Sequence, residues 1–282
     1  EVIRLGYSDS FIPVDTEAIR AEDVALARQW AQRHELDALV STDGDGDRPL
    51  IGDETGAWMR GDVAGVLCAR YLGIRCLVTP VSSNSLVERC AWFERIQRTR
   101  IGSPYVIEAM NEAVSSGRTA VAGYEANGGF LLADEVRRKS VRLSPLPTRD
   151  AVIVILSVLM LAQQLRRSLS ALVSVLPRRY TFSDRLKEFP TELSRARIES
   201  MNSGGPGERA AAVEAVFADE LGAVEKIDAT DGLRVTFVSG EVVHLRPSGN
   251  APELRCYTEA DSPERAAAIN RRCIEIMEGW RR

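Results

Sequence analysis

Residues 36–49 read LDALVSTDGDGDRP, and the layout of the chain follows from this stretch. Its first half is apolar and β-branched and reads as a buried strand. Its second half alternates Asp43, Gly44, Asp45, Gly46 and Asp47 before Arg48 and Pro49. Carboxylates two apart on an extended loop can converge on one cation, and the glycines let the backbone fold tightly around it. Hard oxygen ligands suit magnesium or calcium. Counted as an EF-hand, the loop places Glu54 at the twelfth position, but Arg48 then stands where the sharp turn requires glycine, and the preceding flank is strand. The residues alone leave a magnesium loop, a calcium loop and a solvated acidic turn as the readings.

Outward from this stretch, residues 23–34 space Val24, Ala25, Ala27, Trp30 and Ala31 as a helix does, and the opening EVIRLGYSDSFIPVD reads as strand-like. The chain begins at Glu1, with no signal peptide, and is expected to be a fragment or to lack an ordered earlier part. On the other side, GDVAGVLCARYLG predicts a helix capped by Gly73, and IRCLVTPV a strand. Residues 103–117 predict a helix with Ser103 as N-cap and Pro104 in its first turn, and TAVAGYE predicts a strand. Residues 148–169 predict a buried helix; its apolar run, 151–162, falls short of the roughly 20 residues of a membrane span. Strands alternating with helices imply a sheet covered on both faces. Past the break NSGGPG, a helix at 210–221 is followed by strands over 223–259 with DG and SG turns. A last helix, 263–280, is capped by Ser262. The expected fold class is therefore α/β: two mixed α/β/α sheet domains, the first incomplete, then a smaller antiparallel α+β domain. The expected boundaries are 1–60, 61–170 and 171–282.

Composition narrows the function classes. A net charge of −4 argues against nucleic acid and anionic membranes as partners. Three lysines stand against thirty-three arginines, and guanidinium groups suit phosphate recognition. Five scattered cysteines without a C-x-x-C pair fit a reducing cytoplasm better than a disulfide framework or a zinc site. The two histidines, His34 and His244, fall in different predicted domains.

Two more loops carry chemistry. In GYEANGGF, Glu125 and Asn127 sit just past a strand, and a carboxylate with an amide can read vicinal hydroxyls. In HLRPSGNAPELR, Arg246, Ser248, Gly249 and Asn250, with Arg255 downstream, make an anion pocket from a hydroxyl, an amide, backbone N–H groups and guanidinium. Each could equally be an ordinary turn. RTRIGSPYV adds Arg98, Arg100 and Ser103 at a helix N-terminus.

These loops, in this order, resemble those of the α-D-phosphohexomutase superfamily, with D-G-D-G-D-R the most specific element; the branch they look most like is phosphomannomutase/phosphoglucomutase. The glucosamine branch would carry serine where Asn127 stands. The resemblance covers essentially the whole chain. It implies a magnesium ion held by Asp43, Asp45 and Asp47, with Arg48 reaching toward the phosphate in transfer. It implies that Glu125 and Asn127 hold sugar hydroxyls, that Arg246, Ser248, Gly249 and Asn250 grip the far phosphate with Arg255 nearby, and that Arg100 and Ser103 take part in proton handling and substrate contact. The family more often has lysine, and histidine or aspartate, at these last two places; Asn250 stands for a usual threonine and Ala251 for an acidic residue. The phosphoserine loop of the family, T-A-S-H-N-P-like, does not occur in these residues: VTPVSSNSLV lies after the metal loop and lacks the histidine. The implied protein is a phosphohexose mutase, in the first place a phosphomannomutase converting mannose 6-phosphate to mannose 1-phosphate through a bisphosphorylated intermediate and a phosphoserine, with phosphoglucomutase specificity (glucose phosphates) as an alternative, this chain lacking the serine domain and inactive alone. A non-catalytic phosphosugar-binding protein is the alternative.

Overall fold

A computed structural model describes every residue of the chain except Ala18, Lys139, Pro147, Asn250 and Arg282. Its first helix, α1 (Ala21–His34), buries Ala27 and Ala31, four residues apart on one face. It ends at Glu35 in the left-handed region (φ 49°). Then come β1 (Leu39–Thr42), β2 (Pro49–Gly52) and β3 (Trp58–Met59), an antiparallel sheet in that order. Thr42 lies opposite Pro49, so the acidic stretch is the turn of a β-hairpin.

α2 (Gly61–Leu72) is buried nearly all round; Val66, Leu67, Cys68 and Ala69 have no exposed surface. It is followed by β4 (Cys76–Pro80), the single turn α3 (Leu86–Arg89), β5 (Arg95–Thr99), α4 (Ser103–Ser115), β6 (Val121–Tyr124) and β7 (Phe130–Leu132). The sheet order is β5-β4-β6-β7, with β4 and β6 parallel and β6 and β7 antiparallel. β6 is buried on both faces, as a strand between helical layers must be. Tyr124 pairs with Phe130, which makes the segment around Glu125 and Asn127 a second hairpin turn. A small hairpin, β8 (Val136–Arg138) and β9 (Val141–Leu143), leads to α5 (Ala151–Leu165) and the short α6 (Leu169–Val173).

The remaining elements are β10 (Tyr180–Leu186), α7 (Thr191–Asn202), α8 (Pro206–Leu221), β11 (Val224–Asp228), β12 (Leu233–Phe237), β13 (Val242–Pro247), β14 (Leu254–Ala260) and α9 (Pro263–Gly279). Their strands form one antiparallel sheet, β10-β14-β13-β12-β11. α7, α8 and α9 bury Ile198, Val213, Phe217, Ile269 and Met277 in one cluster with Val235, Phe237, Leu245 and Cys256 of the sheet. β12 alternates buried and half-buried positions, the period of a strand with one face in the core. Pro247 pairs with Leu254, so the predicted anion loop is a third hairpin turn.

The chain gathers into two compact units. Residues 1–83, 90–98 and 102–176 form the first, and 84–89, 99–101 and 177–282 the second. Within the second unit, Ser85 is held by Glu259, its N–H and Oγ donating to Oε2 at 3.0 and 2.6 Å. The Arg179 side chain is buried between Glu259 and Asp261 at 3.6 and 2.8 Å.

The α/β class holds, and several local expectations change. Residues 1–15 form no strand, because strand backbone needs a neighbouring ladder and the described residues offer this segment none. The helix expected over 148–169 starts at Ala151, capped by the Asp150 side chain, and breaks at Arg166 in the left-handed region. The N-cap of α4 is Gly102, not Ser103. α7, β5, β7 and β10 were not expected.

Candidate functional site

The acidic hairpin folds around Asp43. The Asp43 N–H donates to the Arg48 carbonyl (3.1 Å), and its Oδ1 accepts from the Asp47 and Arg48 N–H groups at 3.1 and 3.0 Å. Gly46, at φ 78°, takes a turn conformation that side chains rarely adopt. One carboxylate oxygen each from Asp43, Asp45 and Asp47 lies within 4.8 Å of the others. In an octahedron with bonds of about 2.1 Å, ligand oxygens stand about 3 Å (cis) to 4.2 Å (trans) apart, so a small contraction closes the set on magnesium. Asp47 Oδ1 is shut off from solvent and accepts no hydrogen bond from the described residues. Three carboxylates, one of them with an oxygen free of hydrogen bonds, are the hard donor set that fits magnesium. Arg48 hangs over the loop, its Nε 3.7 Å from Asp43 and 3.8 Å from Asp47.

Glu54 does not join this cluster. Its carboxylate accepts from the Ser170 Oγ and from the Ser170 N–H at the start of α6. Partial burial pushes this carboxyl up, but hydrogen bonds from Ser168, Ser170 and backbone N–H groups outweigh it and bring the pKa down to about 2. The ligand that a calcium loop would need is thus committed elsewhere.

The second hairpin is tightly built. The Glu125 N–H donates to the Gly129 carbonyl and the Gly128 N–H to the Glu125 carbonyl, both at 2.9 Å. Gly128 stands at φ 93°, and a Cβ added at Gly61 would lie 2.2 Å from the Gly128 nitrogen, so both glycines are required where α2 meets this turn. Asn127 Oδ1 accepts from the Gly129 N–H (3.0 Å), and its carbonyl accepts from Thr16 Oγ1 (2.9 Å). The Glu125 side chain is buried and accepts from Ser103 Oγ at 2.7 Å. Ser103 therefore spends its hydroxyl on Glu125 instead of on the helix end.

Arg149 joins the two hairpins, and sequence reasoning missed it. Its Nη2 lies 2.6 Å from Asp47 Oδ2 and its Nη1 3.8 Å from Glu125 Oε2. A cleft of about 620 Å³ opens beside them, lined by Arg48, Asn127, Asp15 and Glu17 among others.

The third hairpin lies in the second unit. The Ser248 N–H donates to the Glu253 carbonyl (2.8 Å); Ser248 is buried and Gly249 is exposed with open space around it. Asn250 lies outside the described residues. Arg246 Nε donates to Asp231 Oδ2 (3.0 Å), which leaves the outer edge of the guanidinium for another anion. The same Asp231 oxygen accepts from the Ile101 N–H (3.0 Å), beside exposed Arg100. Arg246 pairs across the sheet with Arg255, and Arg255 with Arg185, so three arginines stand in a row on one face. Glu253 offsets two of them, at 3.6 Å from Arg185 and 3.5 Å from Arg255. Arg185, like Asp231, was not singled out from sequence; the strand register that exposes the row is invisible there. Buried His244 donates Nε2–H to the Asp231 carbonyl (2.6 Å), and burial pushes its pKa down to about 4.

Comparison with known proteins places the chain in a family. The description "Phosphoglucomutase/phosphomannomutase, alpha/beta/alpha domain III" matches residues 60–180, and "Phosphoglucomutase/phosphomannomutase, C-terminal domain" matches 200–276. A protein named phosphomannomutase from Salmonella muenchen is 44% identical over 95% of this chain and 54% of its own length. Another so named, from Sinorhizobium fredii, is 44% identical over 98% of this chain and 57% of its own length. The chain thus spans about half the length of these relatives. A phosphoglucomutase/phosphomannomutase family protein from Burkholderia thailandensis shares the fold, with TM-score 0.67 at 16% identity over 95% of this chain and 51% of its own. So does an N-acetylphosphoglucosamine mutase from Aspergillus fumigatus, solved with GlcNAc-6P and magnesium, with TM-score 0.57 at 14% identity over 90% of this chain and 52% of its own. Two successive domains of one family, in order, on a chain with two relatives at 44% identity make the assignment: the chain belongs to the phosphoglucomutase/phosphomannomutase family.

Proposed function

We propose that this chain is the metal-binding and substrate-gripping part of a magnesium-dependent phosphohexose mutase acting on mannose phosphates. The observation that carries this reading is the single guanidinium of Arg149 placed between Asp47 of the acidic hairpin and Glu125 of the hydroxyl-reading hairpin. Two loops 78 or more residues apart are thereby one constellation, and one residue near each, Arg48 and Asn127, lines a common cleft. Relatives at 44% identity named phosphomannomutase favour mannose. The three-way division at residues 60 and 170 remains part of this reading, supported by separate sheets for each part.

Asp43, Asp45 and Asp47 would hold magnesium, whose charge offsets that building on phosphoryl oxygens; the Aspergillus relative was solved with that ion. Arg48 would reach a phosphoryl oxygen from beside the loop. Glu125 and Asn127 would hold ring hydroxyls. Because Ser103 already donates to Glu125, its oxygen keeps lone pairs for a sugar hydroxyl. A proton leaving that hydroxyl would pass through Ser103 Oγ to Glu125. Arg246, Ser248, Gly249 and Arg255, with Asn250, would grip the distal phosphate, and Arg100 would contact the substrate. Positioning and charge neutralisation supply most of the catalysis in such transfers. The phosphoserine would come from residues outside these, from another domain of the same protein. All five cysteines are unpaired, which supports a reducing cytoplasmic setting; among the described residues no helix is long and apolar enough to cross a membrane.

Titrating the chain with mannose 1-phosphate and magnesium, followed by phosphorus NMR, tests this. Saturable binding is expected, weakened about ten- to hundredfold by Arg246→Met, which removes a charged hydrogen-bonding partner. Glu125→Gln should weaken it less. The chain by itself should leave the sugar unconverted. Absence of binding, or binding indifferent to both substitutions, would refute the assignment.

A further inference from the structure

We propose that Arg149 is a positioning residue for the cation site: it holds Asp47 by Oδ2 so that Oδ1 faces the cation, and it brings the same positive charge to the sugar loop at Glu125. The inference rests on the metal reading above. The two oxygens of Asp47 have different surroundings. Oδ2 is held by Arg149 Nη2 at 2.6 Å, while Oδ1 is shielded from solvent with no hydrogen bond among the described residues. The nearest cation to Oδ1 is Arg48 Nε at 3.8 Å, beyond hydrogen-bond reach, so Oδ2 is the committed oxygen and Oδ1 the one left to act as a ligand. Outer partners of this kind fix ligand direction, and their loss commonly costs 10–100-fold in metal affinity.

Several features hold Arg149 in place. The next residue, Asp150, caps α5, its side chain accepting from the Val152 and Ile153 N–H groups at 2.9 and 3.1 Å. The Asp150 N–H donates to the Phe130 carbonyl at 3.1 Å, which ties the backbone to β7. The arginine stem passes over Gly129: a Cβ added there would lie 2.6 Å from Arg149 Cδ and 3.1 Å from Cγ. Gly129 carries no positive φ, so the glycine is there for space and not for backbone freedom. The missing side chain at 129 is the slot through which the guanidinium reaches both carboxylates. Its Nη1 lies 3.8 Å from Glu125 Oε2, the oxygen that Ser103 Oγ holds at 2.7 Å, so the same guanidinium adds its charge to the hydroxyl-reading carboxylate without a hydrogen bond.

Manganese titration of the 282-residue chain, read by the electron paramagnetic resonance of the free ion, tests the assignment without any turnover. Arg149→Gln is expected to weaken manganese binding about tenfold, and Arg149→Lys, which keeps a cation for Oδ2, to recover part of the loss. Gly129→Ala leaves the arginine but obstructs its path, and is expected to weaken binding in the same sense with the melting temperature nearly unchanged. Equal affinity in Arg149→Gln and the parent, or tighter binding once the positive charge is gone, would overturn the proposal while leaving the metal site standing. No binding by the parent chain would instead remove the metal reading itself, and this inference with it.

Discussion

Glu54 shows how one residue separates two readings of the same loop. It stands at the spacing of a calcium ligand, but Ser170 at the start of α6 holds its carboxylate. Its pKa, about 2 against an ordinary 4.5, makes a prediction with a definite sign. A carboxyl with a depressed folded-state pKa contributes stability above its unfolded value and loses it as pH falls toward the folded one. Melting temperature should therefore drop more steeply between pH 4.5 and about 2 in the parent chain than in Glu54→Gln. Parallel profiles would show that the Ser170 contact contributes nothing. Arg149, in contrast, was illegible in sequence: TRD before an apolar run reads as a helix start, which it also is. Only the fold reveals that the arginine passes over Gly129 to reach a loop some hundred residues earlier.

At the scale of elements, all three sequence-predicted loops are turns of antiparallel hairpins, β1–β2, β6–β7 and β13–β14. The loops were legible because their chemistry needs uncommon residue combinations packed into a few positions. The strands leaving two of them were not, since β2 and β7 are too short to show a period. α7 escaped notice because its buried positions are only Ser194, Ile198 and Met201. The long helices α2 and α9 and the strands β4, β6 and β12 carry their pattern openly. Register adds what pattern cannot: the row Arg185, Arg255, Arg246. Like charges directly opposite on a sheet destabilise it by up to about 1 kcal/mol, a cost a bound anion would offset. Thermal melting with and without inorganic phosphate should show Arg185→Gln slightly more stable than the parent without phosphate and less stabilised by it. Equal phosphate stabilisation in both would exclude Arg185 from the anion grip.

At the scale of the molecule, two compact units divide the proposed work. The first joins the acidic and hydroxyl-reading hairpins; the second carries the arginine row and the Ser248 turn. What the chain does follows from whether the acidic hairpin is a metal site. The direct measurement is anomalous diffraction from crystals of the chain soaked in manganese. One peak within bonding distance of carboxylate oxygens from Asp43, Asp45 and Asp47 is expected, with Arg149 still on Asp47 Oδ2. No peak at the hairpin, or an ion bound through Glu54 in place of that triad, would contradict the account.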